Sequence, residues 1–376
     1  MGVSYSLPMM ERVGKWHGTA RVRAEARRGR GTVSNASGRF EPLRRERFDD
    51  GWDGLEEAPA PLATTVTVET PRRIITRNKS PDLAFDRSVN PYRGCEHGCV
   101  YCYARPSHAY MGLSPGLDFE SRLFAKPDAA RLLEQELARP GYKVRPIAIG
   151  TNTDPYQPVE KRLGIMRQLL EVLDRAGHPV TVLTKSRSIV RDIDILSSLA
   201  RRDLVKVAIS VTTLDRRLAR VMEPRASTPP RRLDALKMLA DAGVPTGVMV
   251  APIVPAINDR EIEAVLTAAA RAGVVEAGYV MLRLPAEIKE LFDEWLAEHF
   301  PDRRQRVLNL IRQMRGGGLN DPRFGHRQRG RGAYAQMIDR RFDRACRQHG
   351  LNRLQRGLDV SRFRPPEAES AQLSLF

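Results

Sequence analysis

Three of the four cysteines fall within eight residues. Cys95, Cys99 and Cys102 lie in the run Asn90-Pro91-Tyr92-Arg93-Gly94-Cys95-Glu96-His97-Gly98-Cys99-Val100-Tyr101-Cys102-Tyr103-Ala104-Arg105. Three thiolates on one short loop can ligate three irons of a [4Fe–4S] cluster and leave the fourth iron open to a small molecule. An open iron is a position for chemistry rather than for scaffolding. The competing reading is a structural zinc site that adds His97 or His108 as a fourth ligand. Zinc knuckles usually come as paired CxxC motifs, and the sequence has no second pair.

Such a loop needs a rigid support, and the pattern after it supplies one. Apolar runs predict strands near Ser88–Tyr92 and over Pro146–Thr151, Val180–Lys185, Val205–Thr212, Thr246–Val254 and Tyr279–Leu284. Segments of 3.6-residue periodicity separate them, at Ala129–Leu137, Val159–Ala176, Ser188–Ala200, Arg231–Ala242, Glu261–Ala272 and Glu287–His299. In the second of these, Val159, Leu163, Met166, Leu170 and Leu173 form one apolar stripe, the face that a helix lays on a sheet. Strands alternating with helices predict an α/β fold with a parallel sheet, whose ligands gather at the carboxyl ends of the strands.

The 376 residues, 41% of them hydrophobic, suffice for a sizeable core and two or three domains. No apolar run approaches the roughly 18 residues of a membrane span, no secretory pattern is evident, and the few clustered cysteines suit a reducing cytoplasm. The net charge of +17 is unevenly placed: residues 1–50 carry +5, residues 301–376 carry +10, and the 250 residues between carry only +2. Basic flanks on a nearly neutral body point to a phosphate backbone, and so to nucleic acid, as partner. Arg27-Arg28-Gly29-Arg30-Gly31 and Arg327-Gln328-Arg329-Gly330-Arg331-Gly332 read as flexible, Gly-spaced arms that follow a backbone without reading sequence. The bland alternative is simple solvation.

The CxxxCxxC spacing, with Tyr101 just before the third cysteine, resembles the signature of the radical S-adenosylmethionine (SAM) enzymes. The resemblance implies that the open iron chelates the methionine moiety of SAM, and that an electron from the cluster cleaves SAM to a radical that abstracts hydrogen. It also implies a partial (β/α)6 TIM-type barrel, here with basic, partly disordered N- and C-terminal extensions. The expected division is 1–75 as N-terminal extension, 76–300 as barrel and 301–376 as C-terminal region. Within the superfamily, Asn90-Pro91-Tyr92-Arg93-Gly94-Cys95, Tyr101-Cys102-Tyr103-Ala104-Arg105, Asn152-Thr153-Asp154-Pro155-Tyr156-Gln157 and Thr184-Lys185-Ser186 resemble the branch related to spore photoproduct lyase.

From that resemblance, Tyr101 and the polar residues after the strands become candidates for holding SAM. Asn152, Asp154 or Gln157 would receive the ammonium in place of the family's Gly-Gly-Glu run. Lys185 would meet the carboxylate, Ser210 the ribose or methionine oxygens, and Arg283 would point into the barrel mouth. The same residues also suit turns and helix caps. Spore photoproduct lyase further needs a cysteine that returns a hydrogen atom. The only spare is Cys346, past the barrel, on a segment that reads as a helix. An electron donor such as flavodoxin or ferredoxin is implied.

The sequence ends Gln372-Leu373-Ser374-Leu375-Phe376. This resembles the peptide by which bacterial replication and repair proteins dock on the DNA sliding clamp, with Leu373, Leu375 and Phe376 filling an apolar pocket and Gln372 donating a directed hydrogen bond. Two other function classes compete with an enzyme of nucleic acid: a non-catalytic DNA- or clamp-binding adaptor with a structural metal, and an enzyme that modifies a peptide or metabolite.

Overall fold

Six strands pair side by side in parallel and build the scaffold. The computed structural model describes residues 27–42, 62–353 and 357–367. Its strands are β1 (Thr65–Val68), β2 (Ile75–Arg77), β3 (Arg87–Val89), β4 (Tyr92–Arg93), β5 (Arg122–Ala125), β6 (Ile147–Ile149), β7 (Val180–Thr184), β8 (Val205–Ser210), β9 (Thr246–Ile253) and β10 (Glu276–Met281). The main sheet runs β10-β9-β8-β7-β6-β3-β2. All its pairs are parallel except the β2 edge, with registers such as Ile149↔Val182, Val180↔Val205 and Tyr279↔Val250. β3 and β6 are buried along their whole length, as strands covered on both faces must be.

A second, three-stranded sheet runs β1-β5-β4. Only Asn90 and Pro91 separate β3 from β4, so the chain steps from the large sheet to the small one just before the first cysteine. The cysteine loop therefore leaves a point fixed by both sheets. β1 and β2 also show that the folded unit takes in residues ahead of position 76.

The helix expected over 159–176 is two, Glu160–Leu163 and Ile165–Arg175, with Gly164 between them in the left-handed region at φ 64°. Buried Glu160 sits at this break. Its carboxylate accepts the N–H groups of Ile165 (3.1 Å) and Met166 (3.0 Å), two of the donors that open the second helix. Past the barrel the chain is helical, at Pro301–Met314 and Gly332–His349. The C-terminal extension thus contributes two helices that pack beside the barrel. Gly332–His349 packs on Ile262–Arg271 and on Pro301–Met314.

Two cores result. The larger unites the sheet with its helices through residues such as Leu133, Leu169, Val207 and Leu236. The smaller joins Phe292, Trp295, Leu296, Val307 and Ile311 to Cys99, Val100 and Tyr101 of the cysteine loop. Fully burying side chains of this kind contributes about 1.5–3 kcal/mol each. The loop therefore rests on an apolar floor.

Candidate active site

Gly94 begins the loop with φ 73°, and a Cβ there would fall 2.8 Å from Leu123 and 2.9 Å from the Phe119 carbonyl oxygen. Only glycine makes that turn without strain. The Cys95 N–H then donates to the same carbonyl (2.9 Å), Val100 N–H to Met222 (3.1 Å), and Arg225 N–H to His97 (3.2 Å). Cys95 and Cys99 are buried, Cys102 is half-buried, and all are free thiols. Burial pushes the Cys99 thiol up to about 12, helped by Glu223 and Cys102 and opposed by Lys185. Burial also raises Cys95, reinforced by Asp154.

The donor set suits an iron–sulfur cluster: three thiols from one rigid loop, one of them reachable from outside. Among the described residues no three His, Cys, Asp or Glu side chains converge on a single point, whereas cluster ligands bind separate irons. The histidines weighed for zinc are engaged elsewhere. His108 Nε2 lies 2.9 Å from the Arg122 carbonyl oxygen, and burial lowers its pKa to about 4. His97 Nδ1 lies 3.3 Å from Asp154, within ion-pair range but off the hydrogen-bond axis.

Polar groups crowd the strand ends beside the loop. Asp154, after β6, accepts from Thr184 Oγ1 (2.7 Å) and from the Lys185 N–H (2.7 Å), tying β6 to β7. Burial would raise its pKa, but His97 and these hydrogen bonds outweigh burial and hold it at about 2. The Lys185 ammonium sits 5.9 Å from the Tyr101 ring centre. Burial opposes its charge; Cys99 and Glu223 more than offset that, and its pKa rises. The Tyr101 hydroxyl donates to buried Glu223, which also pairs with Arg232 and accepts from Thr212 Oγ1 (2.7 Å). Burial favours a neutral Glu223, yet Arg232 and Lys185 prevail and its pKa falls.

The remaining candidates separate in space. The Gln157 amide is fully buried and engaged at both ends by the loop, accepting from Glu96 N–H (2.8 Å) and donating to the Gly94 carbonyl (3.3 Å). Asn152 N–H donates to Asn90 Oδ1 (3.0 Å), and Ser210 is buried with its carbonyl receiving Arg232 (3.0 Å). Tyr103 spans the mouth: its hydroxyl meets the Thr151 carbonyl after β6, while Arg283, after β10, lies 4.8 Å over its ring. The sheet therefore curls until its distant strand ends face each other, as an open partial barrel. Arg283 Nε is buried and has no hydrogen-bond partner among the described residues.

Cys346 stands apart. Its sulfur is 3.9 Å from Asn352 Nδ2, and the Asn352 amide bonds both the N–H (2.8 Å) and carbonyl (3.0 Å) of Ala277 at the start of β10. That is the amino end of the strand, opposite the cysteine loop. Gln372, Leu373, Leu375 and Phe376 lie outside the described residues. Glu223 and Arg232 were not singled out in the sequence, where they are ordinary charged residues.

Residues 89–269 match the family model of the radical SAM superfamily. An uncharacterized protein of Mycobacterium tuberculosis is 36% identical over 241 residues, 63% of this chain and 71% of the relative. The chain belongs to the radical SAM superfamily. A protein of Acidianus two-tailed virus is 30% identical over 184 residues, 48% of this chain and 60% of the viral one. Among solved structures, a spore photoproduct lyase mutant shares the fold with TM-score 0.56 and 17% identity, over 76% of this chain and 80% of that one. A spore photoproduct lyase complexed with dinucleoside spore photoproduct matches at TM-score 0.55 and 15% identity over the same shares. This radical SAM protein is an enzyme whose cofactors are a [4Fe–4S] cluster and SAM. That membership sets aside the non-catalytic adaptor. No helix among the described residues is long and apolar enough to cross a membrane.

Proposed function

We propose that this radical SAM enzyme abstracts hydrogen from a nucleic-acid substrate, with Cys95, Cys99 and Cys102 holding the cluster. When bound, the cluster supplies the electron that cleaves SAM, and the resulting radical takes a hydrogen atom from the substrate. The chain's own residues bind and orient. Lys185, between Cys99 and Asp154, is the cation for the SAM carboxylate. Asp154, which its low pKa keeps ionised at neutral pH, is the acceptor for the ammonium. Tyr101, held by Glu223, forms a wall beside them. Gln157 and Ser210 support the loop and the β8 end from behind instead of touching SAM.

The observation that carries the nucleic-acid reading is the pairing of arginines with exposed aromatic rings around the mouth. Arg283 covers Tyr103 at 4.8 Å and Arg327 covers Phe324 at 4.9 Å, and the two rings are 48% and 57% exposed. Rings stack on bases and guanidinium groups meet phosphates, the combination that single-stranded or flipped nucleotides use. The resemblance of the fold to a lyase that has been complexed with a dinucleoside photoproduct supports the same substrate class.

The test is SAM cleavage by anaerobically reconstituted protein with a reducing partner of the flavodoxin or ferredoxin class. Stimulation by damaged or modified DNA or RNA, falling as salt rises, is the expected result. Cleavage that no nucleic acid accelerates would refute it and favour a peptide or metabolite. Docking on a sliding clamp through Gln372, Leu373, Leu375 and Phe376 belongs to the same proposal. Deleting residues 372–376 should abolish binding to immobilised clamp and leave SAM cleavage intact.

A further inference from the structure

The Gly-spaced segment at residues 27–31 does not behave as a free arm. Arg30 and Thr32 are buried, at 8% and 1% exposure. A Cβ on Gly31 would stand 1.7 Å from the Gly98 carbonyl oxygen and 3.3 Å from the Val100 nitrogen. The backbone of residue 31 thus lies flat on the cysteine loop, against the residues on either side of Cys99.

One carboxylate fastens the two segments together. Glu120, fully buried, accepts the N–H of Gly31 at Oε2 (2.9 Å). Its Oε1 accepts the Thr32 N–H (3.0 Å), the Thr32 hydroxyl (3.0 Å) and Arg105 Nη2 (2.6 Å). Arg105, also fully buried, reaches the loop from below: Nη2 donates to the Gly98 carbonyl (3.0 Å) and Nε to that of Cys99 (2.9 Å). Arg30 closes the ring by donating to the Glu120 carbonyl (2.8 Å). Every donor aimed at Glu120 needs an acceptor, so an amide in its place would set N–H against N–H.

We propose that residues 30–32 are a strap sealing the outer side of the cysteine loop, and that Glu120 is the positioning residue locking strap to loop. Arg105 transmits the lock to the carbonyls of Gly98 and Cys99. The strap limits access of solvent to Cys95 and Cys99 and fixes the loop's shape before any cofactor arrives. Glu120 touches no reacting atom in this arrangement.

The chain contains its own control, since Cys346 lies at the opposite end of the barrel. Reduced protein without cofactors is treated with iodoacetamide, and each cysteine's alkylation rate is read by mass spectrometry for wild type, Gly31→Ala and Glu120→Gln. Expected is an acceleration of about tenfold at Cys95 and Cys99, the scale of a local opening, with Cys346 unchanged. The reconstituted variants should also lose cluster absorbance faster in air, and the reduced cluster of Glu120→Gln should show shifted paramagnetic resonance g values. Unchanged rates at Cys95 and Cys99 in both variants would overturn the proposal. So would equal acceleration at all four cysteines in both, because that reports global loosening. The alkylation readout holds whatever the substrate proves to be.

Discussion

Two arginine–glycine segments of nearly the same composition end in opposite circumstances. Residues 27–31 are drawn inward until Arg30 is buried against backbone carbonyls. Residues 327–332 stay outside, draped over the end of the last strand. There the Gln328 carbonyl accepts the Met281 N–H (2.8 Å), Arg327 pairs with Asp82 (2.6 Å), and Arg329 covers Tyr279 at 3.8 Å. The side chains of Arg329 and Arg331 remain 49% and 42% exposed. Neither segment is the free arm that its composition suggests. Composition says that guanidinium groups are present; the carboxylates and carbonyls that the fold brings up decide whether any are left for phosphate. The inner segment braces, and the outer one keeps charged faces toward solvent.

That contrast can be broken at either side. The largest effect belongs to Arg105→Met, which leaves Glu120 buried beside the strap without its cation and deprives the Gly98 and Cys99 carbonyls of their donor. Removing one partner of a buried pair costs about 3–5 kcal/mol, readable by denaturant unfolding, and retention of wild-type stability would remove the brace from the account. Arg30→Gln should cost about 1–3 kcal/mol through lost hydrogen bonds, with no change in the salt dependence of nucleic-acid binding. Arg329→Gln should do the reverse. Its stability effect stays below about 1 kcal/mol, while the slope of log affinity against log salt falls by about 1. A salt slope that responded to Arg30 and not to Arg329 would invert the comparison.

The outer segment also carries its own pH dependence. The Gly325 N–H and Arg327 hold Asp82 below its ordinary value of 3.8. Because the folded pKa is depressed, the contribution is complete above that value and disappears as pH falls through the folded one. The protection of the Gly325 amide, its exchange relative to an unstructured chain at the same pH, should therefore be flat from neutrality to about pH 4 and fall below it. Asp82→Ala, which removes the acceptor, should show the low protection at every pH. The smallest effect is expected for Cys346→Ala, whose cluster content and SAM cleavage should match wild type within about twofold, the substitution being a small one far from the loop.

What the sequence disclosed follows from how local each signal is. Five of the parallel strands coincide closely with runs of β-branched and apolar residues. The sixth, expected at Tyr279–Leu284, lies at Glu276–Met281 because Glu276, Ala277 and Gly278 form a ladder with β9 despite poor strand propensity. Leu282 and Leu284 instead join the core beneath the cysteine loop. The break at Gly164 was hidden by an apolar stripe that continues across it. The cysteines were legible because their spacing is itself the signal. Glu120 and Glu223 were not, since each acquires its role in part from residues far away in sequence, 88 positions from Thr32 to Glu120 and 122 from Tyr101 to Glu223. Isolated charges carry no pattern that foretells such contacts.

The Glu120 lock also imposes an order of events on the growing chain. Thr32 is made 88 residues before its carboxylate partner. At synthesis rates of about 5–20 residues per second, the strap waits several seconds with its cationic residues unmatched. For the outer segment the roles are exchanged, because Asp82 precedes Arg327 by 245 residues. The strap can thus lock once Glu120 has emerged, whereas the apolar floor of the loop, which reaches Ile311, and the seal over β10 close only when most of the chain has been made.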